Sequence, residues 1–248
     1  MKKYFAQLIV GLVVIPSLLV AAAYHLEQNG FFNVEKIKIE VSKEMPTHAN
    51  FLPPLQKELT QDLKTFRGHS LWAISIKNLS QVLESKEWIK SYHVRRQWPQ
   101  TLVVQVEPYE VELLLMGAKG ELLPVIEQGK VLKPVLAKNS PDVVLAPSEE
   151  FKKNPELRKK AIEVLRELPT AGAFTRQDVS EITIQPKEGF WMTLAKSGAV
   201  VKMGDEQIAL RAARVAKVVE YLETKQFDAR VIDANLSKKV LVRLRKDP

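Results

Sequence analysis

The residues best suited to chemistry are the histidines, and they form no pattern that performs any. His25, His48, His69 and His93 are scattered, with no metal-ligand spacing between them. Each reads as a surface or loop histidine. The chain has no cysteine, which removes a disulfide framework, a cysteine–zinc site and a thiol nucleophile together. Gly129-Lys130 is not a phosphate loop, because Val131 stands where Ser or Thr is required and no glycine stands five residues earlier. Neither a G-x-S-x-G elbow nor an S-x-x-K pair occurs. Carboxylates are plentiful, and pairs assembled from distant segments keep a glycan hydrolase open. No catalytic residue, metal ligand or cofactor is expected.

Two clusters suit binding rather than catalysis. The first is Trp88-Ile89 followed by His93-Val94-Arg95-Arg96-Gln97-Trp98-Pro99. Trp88 and Trp98 read as core or near-core anchors. Arg95 and Arg96 either form an exposed basic contact or stack and pair locally. The second is Val240-Leu-Val-Arg-Leu-Arg245, a strand flanked by Lys238, Lys239 and Lys246. At a sheet edge it would accept an added strand, and its charge would favour an acidic partner. Basic residues on an edge also serve to prevent pairing, and spacing alone does not separate the two readings.

The elements that position these clusters follow from periodicity. Val34, Ile37, Ile39 and Val41 make a half-buried strand. Leu55, Leu59, Leu63 and Phe66 share one helical face after Pro53-Pro54, and Gly68 ends that helix. Asn78 is expected to cap a short helix with Leu79, Val82 and Leu83 inward. Strands follow over Ser91 to Gln97 and Thr101 to Glu107, the latter with Leu102, Val104 and Val106 on one face. The order strand, helix, helix, strand, strand makes an α+β layer.

Pro108 marks a boundary. Beyond it come an apolar run over Val111 to Met116 and short strands over Leu122 to Ile126 and Lys130 to Leu136. Asn154-Pro155 opens a helix with Leu157, Ala161, Leu165 and Leu168 buried. A strand over Ile182 to Gln185 precedes a hairpin around Ser197-Gly198. A long helix carries Ile208, Ala212, Val215, Val219 and Leu222. The last two strands cover Ala229 to Asp233 and Lys239 to Arg245.

Ahead of all this, Tyr4 to Ala23 is uncharged, almost wholly apolar, and preceded by Lys2 and Lys3. About 20 such residues cross a bilayer's hydrocarbon core. Lysines on that side keep the N-terminus cytoplasmic and send the rest out. Ala21-Ala22-Ala23 also fits signal-peptide cleavage, but the run is longer than an ordinary signal core, which favours a retained anchor. The net charge of +8 is spread among acids and reads as solvated surface. With an anchor in place, no nucleic-acid partner is expected.

With these residues in view, the chain resembles the FtsQ/DivIB family of bacterial cell-division proteins. The resemblance rests on Phe32-x-Val34-x-x-Ile37 and on Trp88-Ile89-x-x-x-x-Val94-x-Arg96-x-Trp98-Pro99-x-Thr101-Leu102-x-Val104-x-Val106-x-Pro108. Gly189-Phe190-Trp191 and Val231-Ile232-Asp233 fall where that family's second domain has corresponding features. The family's closing D-L-R-Y pattern reads Asp233-Ala-Asn-Leu236 here, which puts partner specificity in question.

The resemblance implies an α+β architecture. Residues 1–3 form a cytoplasmic tail, 4–23 a transmembrane helix and 24–31 a linker. Residues 32–108 form a POTRA domain of order β-α-α-β-β, and 109–248 a larger mixed domain with a mostly antiparallel sheet. It implies a scaffold in the cell inner membrane at the division septum, with exported domains in the periplasm, no enzymatic activity and no small-molecule substrate. The implied partners are FtsB- and FtsL-like division proteins, one of which adds a strand to the last strand. Carried onto this chain, that site comprises Leu236, Lys238, Val240, Val242 and Leu244. Arg211 and Arg214 stand on the preceding helix, and Arg243 and Arg245 add basic charge. Arg95 and Arg96 belong to recruitment through the first domain. Two other readings remain. One is an outer-membrane assembly component, which shares only the first domain and continues into a barrel. The other is a secreted cell-wall enzyme or glycan binder with a cleaved signal peptide.

Overall fold

The computed structural model describes residues 2–43, 45–236 and 239–245, with the side chains of 2–12 outside that description. The chain forms two compact units, Met1–Glu44 with Pro53–Pro108, and Met45–Leu52 with Tyr109–Pro248.

Helix α1 (Lys2–Gln28) runs through Pro16 without ending. Val13, Ile15, Leu18, Leu19, Val20 and Tyr24 are all exposed on it. Among the described residues no helix is long and apolar enough to cross a membrane. The span expected over 4–23 falls partly on side chains outside the description.

The rest of the first unit is built as its periodicity requires. In β1 (Lys36–Val41) the apolar residues turn inward and Lys36, Lys38 and Glu40 turn out. Helix α2 (Leu52–Leu63) buries Leu59 and Leu63, and α3 (Ile76–Glu84) buries Leu79 and Leu83. The cap of α3 is Ser75, not Asn78: the Asn78 N–H donates to Ser75 Oγ at 3.3 Å. Ile76 and Lys77 are already helical, so the capping position falls before them. Strands β2 (Ile89–Gln97) and β3 (Thr101–Pro108) complete a sheet of order β1-β3-β2. β3 is parallel to β1 and antiparallel to β2. Its central place explains why Val103, on the face opposite Leu102, Val104 and Val106, is buried too: register sets it between Lys38 and Arg95, whose long stems suit an apolar neighbour. Lys86 ties α2 down through Glu58 and Asp62, at 2.7 and 2.5 Å. Burial pulls the Lys86 ammonium down, but its hydrogen bonds to those two carboxylates outweigh this and hold it above its usual value.

The second unit contains β4 (Val111–Met116), β5 (Leu122–Ile126), β6 (Leu145–Ala146), α4 (Glu149–Lys153), α5 (Pro155–Arg166), β7 (Val179–Gln185), β8 (Gly189–Leu194), β9 (Val200–Gly204), α6 (Ile208–Lys225), β10 (Ala229–Asp233) and β11 (Leu241–Leu244). They form an eight-stranded sheet of order β11-β10-β9-β8-β7-β6-β4-β5. It is mixed, with antiparallel pairs in the majority: β4–β6, β6–β7 and β9–β10 are parallel, and the other four neighbouring pairs are antiparallel. The short β6 between β4 and β7 escaped the sequence reading because two residues carry no periodicity.

Residues 130–136 are not the expected strand and make only isolated bridges to β5. Pro134 lacks an N–H and cannot continue a ladder. This segment nevertheless covers the outer side of β5, through Leu132 N–H to Pro124 O at 2.7 Å and Val135 N–H to Leu122 O at 2.8 Å.

Asn154 caps α5 as expected, accepting from the Glu156 and Leu157 N–H groups. Two buried polar groups hold β4. Glu112, almost closed to solvent, meets Arg166 and Arg176, each at 2.5 Å. The second is His48, expected to be a surface or loop histidine: it lies in the connection between β1 and α2 and is buried there. Its Nε2 accepts the Val111 N–H at 2.9 Å, and Thr47 Oγ1 lies 2.8 Å from its Nδ1. Accepting at Nε2 requires the neutral ring. Replacing His48 by Leu orphans the Val111 N–H and should cost the second unit about 1–3 kcal/mol in urea unfolding, with lost exchange protection at Val111. Unchanged protection there would show that the imidazole does not hold β4.

Candidate functional site

The candidate site is the sheet edge made by β11, and its placement begins with α6. The helix turns all five of its expected apolar residues, Ile208, Ala212, Val215, Val219 and Leu222, into the core. It carries the chain from β9 to a parallel β10. Arg211, in the first turn of α6, fastens the start of this crossover, donating from Nη1 to Met203 O at 2.6 Å and to Asn235 Oδ1 at 2.9 Å. Gly204 makes room for that bond. A Cβ there would collide with the guanidinium and with Asn235, and its φ of +72° already favours glycine.

β11 then pairs antiparallel with β10, with Leu241 opposite Asp233, Val242 opposite Ile232, Arg243 opposite Val231 and Leu244 opposite Ala229. A bulge lies between Ala229 and Val231. Val240 and Val242 are part-buried against the core, whereas Leu241, Arg243 and Leu244 are exposed. Arg245 clamps the end. Its N–H donates to Asp228 O at 2.8 Å, its Nη2 to Ser197 O at 3.0 Å, and its Nη1 lies 3.6 Å from Asp228.

The Arg245 N–H points toward β10, and alternate residues of a strand turn their backbone groups the same way. Leu241 and Arg243 therefore face β10, and Val242 and Leu244 present N–H and C=O to the outer side. No strand occupies that side among the described residues.

The expected site residues thus separate by role. Val242 and Leu244 offer backbone groups, and Arg243 offers a charge with no ion pair among the described residues. Val240 packs the strand down. Arg211 and Arg245 are engaged in holding the edge in place. Leu236 is partly exposed beside Asn235, and Arg214 lies on α6, part-buried. Lys238 lies outside the described residues. Arg95 and Arg96 belong to the first unit, where Arg95 pairs with Glu40 at 3.3 Å and Arg96 is exposed. Trp88 is buried there as expected, but Trp98 is 47% exposed and is not a core anchor.

Sequence reasoning missed Phe227 and Asp228. A pocket of about 360 Å³ opens beside the Arg245 end of β11, lined in part by Lys196, Ser197, Glu223, Phe227 and Asp228. A hydrogen bond to Glu223 holds the Lys196 ammonium above its usual value. Phe227 is 49% exposed, and a lone aromatic between Gln226 and Asp228 was the available signal.

Comparison with known proteins gives a consistent result for both units. Residues 55–109 match the model of the POTRA domain, FtsQ-type. Residues 115–235 match that of the cell division protein FtsQ/DivIB C-terminal region, which ends before β11. The chain is 23% identical to the cell division protein FtsQ of Syntrophotalea carbinolica, over 90% of this chain and 78% of that protein. It is 27% identical to FtsQ of Geotalea daltonii, over 86% of this chain and 76% of that one. It is 27% identical to the cell division protein DivIB of Solibacillus silvestris, over 48% and 39%.

Removing the clamp tests whether it fixes the edge. Arg245→Ala should raise amide exchange in 241–244 on the order of tenfold while the sheet's inner strands keep their protection. Equal exchange in both proteins would leave the clamp without that role.

Proposed function

The chain belongs to the FtsQ/DivIB family of cell-division proteins, and on that premise we propose that it is a non-enzymatic division scaffold which binds its partner by strand addition at β11. The observation that carries this reading is the outward-facing backbone of Val242 and Leu244. An extended segment of an FtsB-like protein, itself associated with an FtsL-like protein, pairs with those groups and continues the sheet. Arg243 meets acidic side chains on the added strand, and Arg214 on α6 adds basic charge. Leu236 and Leu241 supply apolar contact at the strand's beginning.

In the same proposal, residues 4–23 anchor the chain in the cell inner membrane, with residues 1–3 cytoplasmic and the two units in the periplasm at the septum. Exposed apolar side chains from Val13 to Val20 support the anchor, because a helix apolar all round needs an apolar surrounding. The POTRA unit, with Arg95 and Arg96, serves recruitment.

Strand addition makes a backbone-specific demand. In purified full-length protein, Val242→Pro or Leu244→Pro removes an outward N–H, and each should weaken binding of the purified FtsB-like partner at least about tenfold, or about 1.4 kcal/mol. Leu244 is exposed, so its variant should keep the native melting temperature. Arg243→Glu should weaken binding several-fold at low salt and flatten its salt dependence. Proline variants that bind as the native protein does would place the partner elsewhere.

A further inference from the structure

The first unit carries an aromatic surface that strand addition does not use. We propose that Phe31, Trp72 and Trp98 bed into the lipid headgroup layer and fix the first unit against the membrane that holds α1. The inference rests on the reading of α1 as an anchor.

The cluster is continuous. Phe32 meets Phe31 and Trp98 edge-on, both at 5.1 Å between ring centroids, and Trp72 at 6.5 Å. Trp72 and Trp98 are 4.3 Å apart. Phe31 is 44%, Trp72 58% and Trp98 47% exposed. At ~200 Å² for each ring system, about half open, the patch presents on the order of 300 Å² of aromatic surface. Its backbone is fixed: Leu71 N–H donates to Phe32 O at 2.8 Å, and Asn33 and Ser70 form a bridge.

The occupant follows from where the patch begins. α1 ends at Gln28 in a closed turn, with Gly30 N–H to Glu27 O and Phe31 N–H to Leu26 O, both 2.9 Å. Residues 24–28 carry the helix about 7 Å past the apolar run, roughly the thickness of one headgroup layer. The rings therefore start at the level where indoles are most stable, with an apolar body toward the acyl chains and an N–H toward water and ester groups. Arg67 and Arg96 are exposed, make no ion pair among the described residues, and suit phosphate at that level. Arg96 precedes Trp98 by two residues, and Arg67 precedes the Ser70-Leu71 segment that holds Trp72.

The absence of cysteine allows single labels in the full chain. Leu19→Cys, Ala73→Cys and Glu87→Cys, each carrying an environment-sensitive fluorophore, are placed separately in vesicles of phosphatidylethanolamine and phosphatidylglycerol. Glu87 stands just before β2, at the end of that strand opposite Trp98. Nitroxide lipids should quench Leu19 from the acyl chain, and should quench Ala73 by at least half from the headgroup while leaving Glu87 unaffected. Adding Trp72→Ser and Trp98→Ser should reduce the Ala73 quenching several-fold. An unquenched Leu19 label overturns the anchor reading itself. Quenched Leu19 with unquenched Ala73 overturns this inference alone, as does quenching at Ala73 that ignores the two tryptophans. A fluorescence shift at Ala73 on adding partner protein, without quenching by lipid, assigns the patch to a protein contact and also overturns it.

Discussion

The α6 crossover is the constraint on which the second unit depends. β9 and β10 are parallel neighbours, and parallel neighbours cannot be joined by a tight turn. The chain must travel the length of the sheet and return, and α6 does so with its apolar stripe on the core. That return places β10 beyond β9 and leaves β11 no position except the outside. The fastening of the crossover is equally local. Arg211 reaches the end of β9 and the second residue after β10 through the space that Gly204 leaves. The accessible edge is thus a product of topology held by one guanidinium.

β11 must resist two opposite failures, peeling from β10 and being buried itself. Val240 and Val242 pack its inner face, and Arg245 pins its end to Asp228 and Ser197. The strand is short, at four residues. A short edge strand with an exposed arginine resists indiscriminate pairing, while its outward backbone groups stay available to a segment of matching charge. The same basic residues are thus compatible with both readings that sequence spacing left even.

Much of this was legible in the residue pattern, and the exceptions have physical causes. The α6 stripe, the Asn154 cap and the alternation of β1 are local signals, and the structure repeats them. The burial of Val103 and His48 was not legible because it comes from distant segments: neighbouring strands for one, the Val111 N–H for the other. Within the site, the strand was visible but the division of labour along it was not. Arg243 and Arg245 look alike in sequence. Only the hydrogen bonds to Asp228 and Ser197 distinguish the clamp from the free charge, and only the direction of the Arg245 N–H shows which backbone groups face outward.

The two borders of the large sheet are unlike each other. Along β5, residues 130–135 occupy the border with their own hydrogen bonds, whereas along β11 nothing does among the described residues. A sheet open at both borders could be extended from either side and link one molecule to the next without limit, which is the geometry of fibres. A sheet sealed along one border can be lengthened only from the other. Under the strand-addition proposal, growth of this sheet therefore runs in one direction only.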